Sequence, residues 1–248
     1  TEGIWYCLYD RYPGRAPQDL DEAAAERLGM LLGRLHNVGA AAPAPHRLRL
    51  GGDSFGREEL AWMLGRDLLP GTLRSRYEAA AREIADAADR LMAGVPLHRV
   101  HGDFHRGNLL LRDGVFHVLD FDDMVTGPAV QDLWLLVPDR EGDGLRLREA
   151  LLEGYERFRP FPRASLALAE PLRGLRRVRY AAWLARRWHD PVFPQTWPHF
   201  GTGDYWDEET RDLEDLVAAI RAGDPEIPRP EPEPPPLTNR DFFFDWEG

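Results

Sequence analysis

Residues 101–123 read HGDFHRGNLLLRDGVFHVLDFDD and place polar side chains on both sides of an apolar segment. Asp103 and Asn108 are five positions apart before that segment, and Asp120 follows it. The Asn108 carbonyl and the Asp120 carboxylate are hard oxygen donors, which suit Mg²⁺ and do not suit softer metals. Asp103, left free of metal, could orient an attacking hydroxyl or accept its proton. A metal on the phosphates and a carboxylate on the nucleophile are the parts that phosphoryl transfer requires.

The middle of this stretch predicts a β-hairpin that brings the polar residues together. Asp113-Gly114 separates two apolar runs, at 108–111 and 115–121, and Asp-Gly between apolar runs is a strong hairpin signal. Because a hairpin folds back on itself, Asp120 is expected to return to the neighbourhood of Asn108. The two side chains should then face each other across the open end of the hairpin.

The rest of the chain has mainly helical patterns, so the expected fold class is α+β and mostly helical. A first helix can be capped by Asp19 or Asp21, and it carries an apolar stripe made of Leu20, Ala24, Leu28, Leu31, Leu32 and Leu35. Further helices are predicted at 57–69, 74–93, 128–137, 143–158, 165–189 and 207–222. The glycine-rich segment GGDSFG at 51–56 has no following Lys-Ser/Thr and is predicted to be a plain loop.

Composition excludes several functional classes. A net charge of −11 lacks the basic footprint of a nucleic-acid-binding protein and opposes docking on anionic membranes. No apolar run approaches the roughly 18 residues of a membrane span. The single cysteine and the absence of a visible signal peptide suit a reducing, cytoplasmic location. All 31 basic residues are arginine, so this chain contains neither a Walker-loop lysine nor a kinase strand lysine.

The spacing of the polar residues matches a known pattern. Asp-x-x-x-x-Asn, followed by a hairpin and an Asp-Phe pair, is the catalytic loop and metal motif of protein kinases. His101 stands two residues before Asp103, and residues 120–122 read Asp-Phe-Asp in place of Asp-Phe-Gly. In these features the chain resembles the aminoglycoside phosphotransferase and choline kinase branch of that superfamily.

Other blocks of the sequence extend the resemblance over nearly all of residues 4 to about 237. ERLGMLLGRLH at 26–36 is similar to the helix after the hinge in that branch, and GPAVQDLWLL at 127–136 to the helix after the metal motif. Residues 170–194 and GDYW at 203–206 resemble the bacterial stress-response Ser/Thr protein kinases. The expected fold is therefore a protein-kinase-like carboxyl-terminal lobe with a catalytic-loop hairpin.

The resemblance implies roles for individual residues in an ATP- and Mg²⁺-dependent kinase. Asp103 is then the proton acceptor, and Asp120 belongs to the catalytic residues and to the metal ligands with Asn108. Asp122 is a nearby second carboxylate that also reaches the metal. Leu8, Tyr9 and Asp10 fall at the hinge that contacts the adenine of ATP. Asp132 is expected to support the catalytic loop from the helix that follows the metal motif.

The resemblance also divides the chain into three parts. Residues 1–12 correspond to the hinge strand, 13–223 to the carboxyl-terminal lobe, and 224–248 to a Pro/Glu-rich tail. In this family the glycine-rich loop and the strand lysine precede the hinge, and the chain begins at the hinge. We therefore expect residues 1–248 alone to be inactive, and the intact protein to be a monomeric cytoplasmic enzyme of the stress response.

Several alternatives stay open from the residues themselves. The acceptor could be a protein Ser/Thr or a small hydroxyl compound such as an aminoglycoside or an amino alcohol, and the chain could also be a non-catalytic interaction module. His101-x-Asp103-x-His105 is compatible with a zinc site but lacks a further ligand nearby, so His101 is interpreted as a core histidine that fixes backbone. An aromatic set, Tyr180, Trp183 and Trp188, is either core or a cage for a cation.

Overall fold

The computed structural model describes residues 8, 11, 13–17, 19–138 and 142–223, and the architecture of this part is mostly helical. Its α-helices are α1 (Glu22–Ala40), α2 (Glu58–Leu64), α3 (Gly71–Met92), α4 (Val130–Leu136), α5 (Asp143–Glu156), α6 (Ala169–Arg187), α7 (Val192–Thr196) and α8 (Gly203–Ala222). Its strands are β1 (Leu97–Val100), β2 (Leu109–Arg112), β3 (Val115–Val118) and β4 (Val125–Pro128). The expected α+β, mostly helical fold class is confirmed.

Helix α1 packs closely against α5, and glycines make this contact possible. The Asp21 side chain caps α1 by accepting a hydrogen bond of 2.7 Å from the Ala24 N–H. A Cβ on Gly29 would lie 1.9 Å from the Leu151 carbonyl oxygen, so only glycine permits this approach. The apolar stripe of α1, including Leu28 with no exposed surface, is buried against the core. The pairing holds residues 26–33 of α1 beside the end of α5.

The predicted hairpin is present, and a second small sheet accompanies it. Strands β2 and β3 pair antiparallel, and both residues of the Asp113-Gly114 turn have positive φ, as a tight primed turn requires. Strands β1 and β4 also pair antiparallel. The expectation of a single hairpin was therefore incomplete. Four-residue strands far apart in sequence carry too little periodicity to identify each other.

The predicted helices are present, but several of their ends differ from the predicted bounds; α2, for example, ends at Leu64 and not at residue 69, and α6 begins at Ala169 and not at residue 165. Helix α8 begins at Gly203, where the Thr202 hydroxyl accepts from the Tyr205 N–H, and not at residue 207. The prediction of a plain loop at 51–56 was wrong, because Asp53–Arg57 forms a π-helical turn that runs into α2. A distant residue of α3 explains this: the Gly52 N–H donates to Asp89 Oδ1 at 2.8 Å.

The remaining regional predictions lie outside the described residues. Most of the predicted hinge strand (1–12) and the tail from 224 onward belong to this group. Within the described part of the chain, no helix combines the length and the apolar character needed to cross a bilayer.

Candidate active site

The loop between β1 and β2 carries most of the predicted chemistry, and a glycine sets its path. Gly102 has φ +86°, and a Cβ on it would lie 2.3 Å from the Asp123 carbonyl oxygen. The close approach brings the start of the loop against the turn that follows β3. The loop then forms a 3₁₀ turn at Arg106–Asn108 and enters β2. Residues 101–108 and 120–123 therefore adjoin each other.

The Asp103 carboxylate is held from two sides. Asn108 Nδ2 donates to Asp103 Oδ2 at 3.2 Å and to the Asp103 carbonyl at 2.9 Å. His105 Nε2 lies 3.3 Å from the same Oδ2. Because His105 Nδ1 accepts from the Gly107 N–H at 3.0 Å, the proton of a neutral His105 sits on Nε2 and points to Asp103. The Asp103 side chain keeps 17% of its surface exposed, so an acceptor can still reach it.

Arg176 of α6 contacts the other oxygen of Asp103. Its Nη2 lies 2.6 Å from Asp103 Oδ1. That oxygen is otherwise inaccessible and without an aligned hydrogen-bond donor, so the contact is an ion pair. Sequence reasoning missed Arg176, which is one of several arginines in α6 and has no local motif. It is the contact through which α6 reaches the predicted proton acceptor.

The residues predicted to bind the metal lie at the open end of the hairpin. The Leu119 N–H donates to the Asn108 carbonyl at 2.9 Å, which extends the β2–β3 ladder by one pair and places Asp120 next to it. Asp120 has φ +58°, so the chain turns away from the strand at this residue. The side chains of Asp120 and Asp122 are exposed and form no ion pair or hydrogen bond with another described residue.

Asp132 of α4 supports the loop between β1 and β2 through hydrogen bonds to its backbone, as the resemblance implied. Its carboxylate is fully buried and accepts hydrogen bonds of 2.8 Å from the His101 and Gly102 N–H groups. A third contact joins Asp132 Oδ2 to His36 Nε2 at 3.0 Å. The neighbouring Gln131 donates from Nε2 to the Gly102 carbonyl at 2.9 Å. The peptide groups that precede Asp103 are therefore fixed by two adjacent side chains of α4.

His36 continues this network into α1 and α5. It lies inside α1, fully buried, and its Nδ1 is 3.0 Å from the Tyr155 hydroxyl. Helix α1 continues past His36 to Ala40, so the imidazole is enclosed by packed helices. Burial raises the pKa of Tyr155. Burial, and then the nearby His36, lower the pKa of His98 to about 4, so His98 is neutral at physiological pH.

His101 has the core position predicted for it. The side chain is 1% exposed, and its Nε2 lies 2.8 Å from the Leu119 carbonyl. The Asp103 N–H donates to His101 Nδ1 at 3.3 Å, which leaves Nε2 as the protonated nitrogen. The imidazole thus ties the catalytic loop to the residue before Asp120.

The aromatic residues of α6 divide between two clusters. Tyr180 stacks on Trp183, whose ring also contacts Phe193 and Trp197. Trp188 packs instead on Phe200, with ring centroids 4.8 Å apart. The three aromatic residues considered as one cage, 180, 183 and 188, therefore do not form a single cage.

The predicted hinge residues are only partly described. Leu8 is 90% exposed, and Tyr9 and Asp10 lie outside the described residues, so the adenine contact stays a prediction. The segment just after the hinge runs beside the hairpin. Arg15 and Leu111 exchange two backbone hydrogen bonds, of 3.2 and 2.8 Å.

Comparison with known proteins identifies the family of this arrangement. Residues 2–169 match the phosphotransferase enzyme family (APH). The chain belongs to this phosphotransferase family. The resemblance stated from the catalytic-loop motif is thereby confirmed, and the polar constellation lies within the matched segment.

Individual relatives support the same conclusion. Stress response kinase A of Escherichia coli (strain K12) is 36% identical over 217 residues, a match that covers 84% of this chain and 64% of that protein. Serine/threonine protein kinase RdoA of Salmonella typhimurium is 34% identical over 210 residues, with the same two coverages. The chain thus spans less than two thirds of the length of these curated relatives.

A solved structure confirms the fold of this phosphotransferase. An amicoumacin kinase in complex with AMP-PNP and Ca²⁺ matches with a TM-score of 0.60 at 18% identity, over 85% of this chain and 64% of that one. At this identity the match shows the kinase-like fold and carries no information on the substrate.

The oxygen atoms that Asn108, Asp120 and Asp122 can offer are of the chemical type that Mg²⁺ prefers. Asn108 donates hydrogen bonds to Asp103 from its Nδ2, so its Oδ1 stays available as a metal ligand. The Asp120 and Asp122 carboxylates have no competing partner among the described residues. Within the same residues, no three His, Cys, Asp or Glu side chains are grouped closely enough to hold a metal. A cation would therefore need nucleotide phosphates and water to complete its shell.

Proposed function

We propose that this chain is the acceptor-side lobe of an ATP- and Mg²⁺-dependent Ser/Thr protein kinase of the stress-response type. In this proposal the enzyme is cytoplasmic and monomeric, and it transfers the γ-phosphoryl group of ATP to a hydroxyl group. The observation that carries the proposal is the Asp103 carboxylate, fixed on both oxygens and still accessible beside residues 120–122.

Asp103 is the proposed proton acceptor. Phosphoryl transfer depends mainly on positioning and charge stabilisation, so the acceptor hydroxyl must meet a carboxylate of fixed orientation. Asn108 and His105 restrain one oxygen and Arg176 restrains the other, and these three contacts leave little rotational freedom about the Cβ–Cγ bond. An accessible carboxylate held in this way is better suited to align an alcohol than to cap a loop.

Asn108, Asp120 and Asp122 are the residues that would hold Mg²⁺. The ion would neutralise charge on the nucleotide phosphates, and Leu8, Tyr9 and Asp10 would meet the adenine. In this arrangement the chain itself orients the acceptor and presents oxygen ligands. Exposed carboxylates without partners suit such a role, because no existing contact has to break when the ligand binds.

The nature of the acceptor rests on the relatives. Both curated relatives named above are called kinases, and one is called a serine/threonine protein kinase. They are more similar in sequence to this chain than the structurally characterised small-molecule kinase is. We therefore place a protein hydroxyl first and a small hydroxyl compound second.

The test is a transfer assay on the full-length gene product with radiolabelled ATP, Mg²⁺ and myelin basic protein. Asp103→Asn is expected to lower turnover by about 10²–10⁴-fold, the usual contribution of a positioned proton acceptor. Asp120→Asn should instead weaken metal-dependent nucleotide binding. The matched control is Asp113→Asn, an exposed acid in the turn of the same hairpin, which should behave as wild type.

Two results would contradict the proposal. If Asp103→Asn retains near-normal turnover, Asp103 does not have the proposed role. If the wild-type protein phosphorylates aminoglycosides or amino alcohols but neither myelin basic protein nor itself, the acceptor is a small molecule and the protein-kinase part of the proposal is wrong.

A further inference from the structure

An open cavity of about 490 Å³ lies between the end of α1, the loop that follows it, and the β1–β4 sheet. Arg47, Arg49, Arg99 and Thr126 are among its lining residues, and none of the described residues that line it is acidic. A cavity of this size can hold a small molecule. It is separate from the catalytic loop, and the proposed function does not require it.

Strand register places two of the arginines and the threonine on one face of the sheet. Arg99 is paired with Thr126 in the β1–β4 ladder, and Arg49 is paired with the same Thr126 from the other side. Directly paired residues project from the same face. Arg49 and Arg99 are therefore two strand spacings apart, about 10 Å, with a hydroxyl between them. Long guanidinium side chains can converge across that distance on one ligand.

Arg49 and Arg99 lack the acidic partners that many other arginines of the described residues have. Arg57, for example, contacts Asp53, Asp86 and Asp89. The side chains of Arg49 and Arg99 form no ion pair or hydrogen bond with any other residue of the chain that the structure describes. Unpaired like charges that lie close together repel each other. Acidic residues outnumber basic ones in the chain, yet the described residues that line this cavity include no acid that could offset the repulsion.

Arg47 adds a third guanidinium and connects the cavity to the active-site turn. Its Nη1 donates to the Asp122 carbonyl at 2.7 Å, which leaves its other N–H groups for a ligand. The end of α1 also borders the cavity and offers a weaker attraction for arginines through its terminal carbonyls. That attraction alone does not explain why hydrogen-bond donors border the cavity from the loop after α1, from β1 and from β4.

We propose that this cavity binds a phosphate group, either as inorganic phosphate or as part of a phosphorylated small molecule. Several guanidinium groups and a hydroxyl, approaching from different sides, match a tetrahedral oxyanion with more than two oxygens. A carboxylate would use only part of this donor set.

The proposal is tested by calorimetric titration of the full-length gene product with inorganic phosphate, and separately with glucose 6-phosphate. The variants are Arg49→Gln, Arg99→Gln and the combination of both. The control is Arg90→Gln, which removes one exposed positive charge from the end of α3. Each single variant is expected to weaken phosphate binding by about 10-fold or more, since each removes a charge-assisted contact, and the control should match wild type.

The outcomes separate the source of the ligand from failure of the proposal. Tighter binding of glucose 6-phosphate than of inorganic phosphate points to a phosphorylated small molecule, and the reverse order points to free phosphate. Equal phosphate binding by wild type and the double variant would place the anion elsewhere and overturn the proposal. Absence of phosphate binding, with lower thermal stability of the variants, would show that the arginines only complement the end of α1.

Discussion

Replacing Asp132 with asparagine removes the charge from the carboxylate that fixes the backbone before Asp103. Asp132 is fully buried and accepts from the His101 and Gly102 N–H groups, with His36 as a third partner. Asparagine has nearly the same shape, so the change does not open a cavity. It does replace one accepting oxygen with an NH₂ group that can only donate.

The expected cost follows from counting these contacts. If the asparagine oxygen keeps the position of Oδ2, it retains the His101 and His36 contacts, and its Nδ2 then faces the Gly102 N–H, donor against donor. Hydrogen bonds to charged groups contribute about 1.5–3 kcal/mol each, and a buried unpaired donor costs about 1–3 kcal/mol. We expect the free energy of opening the catalytic loop to fall by about 2–4 kcal/mol.

Hydrogen exchange measured by mass spectrometry on the full-length gene product reads out this change. Peptides that cover 97–110 should lose protection by about 30- to 1000-fold, the equivalent of 2–4 kcal/mol. The control is Asp215→Asn, an exposed residue of α8 with no partner among the described residues, for which protection should be unchanged.

A loss of protection below about threefold in these peptides corresponds to less than about 0.7 kcal/mol and would contradict the role inferred for Asp132. The catalytic loop would then hold its conformation without the Asp132 carboxylate. Uniform loss of protection over the whole chain would equally contradict this role, because two of the three contacts of Asp132 are to the backbone of the loop.

Two other predictions concern Arg176 and His98. Arg176→Gln should lower kcat for phosphoryl transfer by about 10-fold or more with little change in KM for ATP, because only the orientation of Asp103 is affected, and added guanidinium should restore part of the activity. The control Arg177→Gln, which loses contacts to Glu209 and Asp212, should keep its kcat. If Arg176→Gln keeps wild-type kcat, Arg176 does not position Asp103. His98 has its pKa lowered from 6.5 to about 4, so the unfolded chain binds its proton first and stability is lost as pH falls from about 6.5 to about 4. His98→Phe should remove at most about 3 kcal/mol of this pH dependence in urea unfolding, and an unchanged pH profile would contradict the shift.

The sequence predicted those helices and turns that depend on residues close together in the chain. The apolar stripe and the capping aspartate located α1, and Asp113-Gly114 located the hairpin turn, because helix periodicity and primed turns depend on neighbouring residues. The β1–β4 pairing and the π-helical turn at Asp53–Arg57 depend on partners distant in sequence, such as Asp89. Tertiary contacts of this kind produce no periodic pattern in the sequence.

The same distinction applies to the candidate site. Asp103 and Asn108 lie within one loop, so their closeness could be expected from the sequence, whereas the hydrogen bonds between them could not, and their roles stay predictions. The contact with Arg176 could not be predicted, because α6 contains several arginines and only packing decides which of them reaches the loop. Residues 9 and 10 of the predicted hinge lie outside the described residues, so that part of the site stays a prediction.

Asp103 and the pair Asp120 and Asp122 differ in how firmly their side chains are held, which agrees with the different roles proposed for them. Asp103 is restrained by its own loop, by Arg176 of α6 and, through the backbone, by Asp132 of α4, so the residue proposed to orient the acceptor is in place before any ligand binds. Asp120 and Asp122 are exposed and have no partner among the described residues, so their arrangement depends on what binds there. Preorganisation is most useful where orientation determines the rate, which in phosphoryl transfer is at the nucleophile. A metal site that is completed by nucleotide phosphates, in contrast, gains from ligands that stay free until the nucleotide binds.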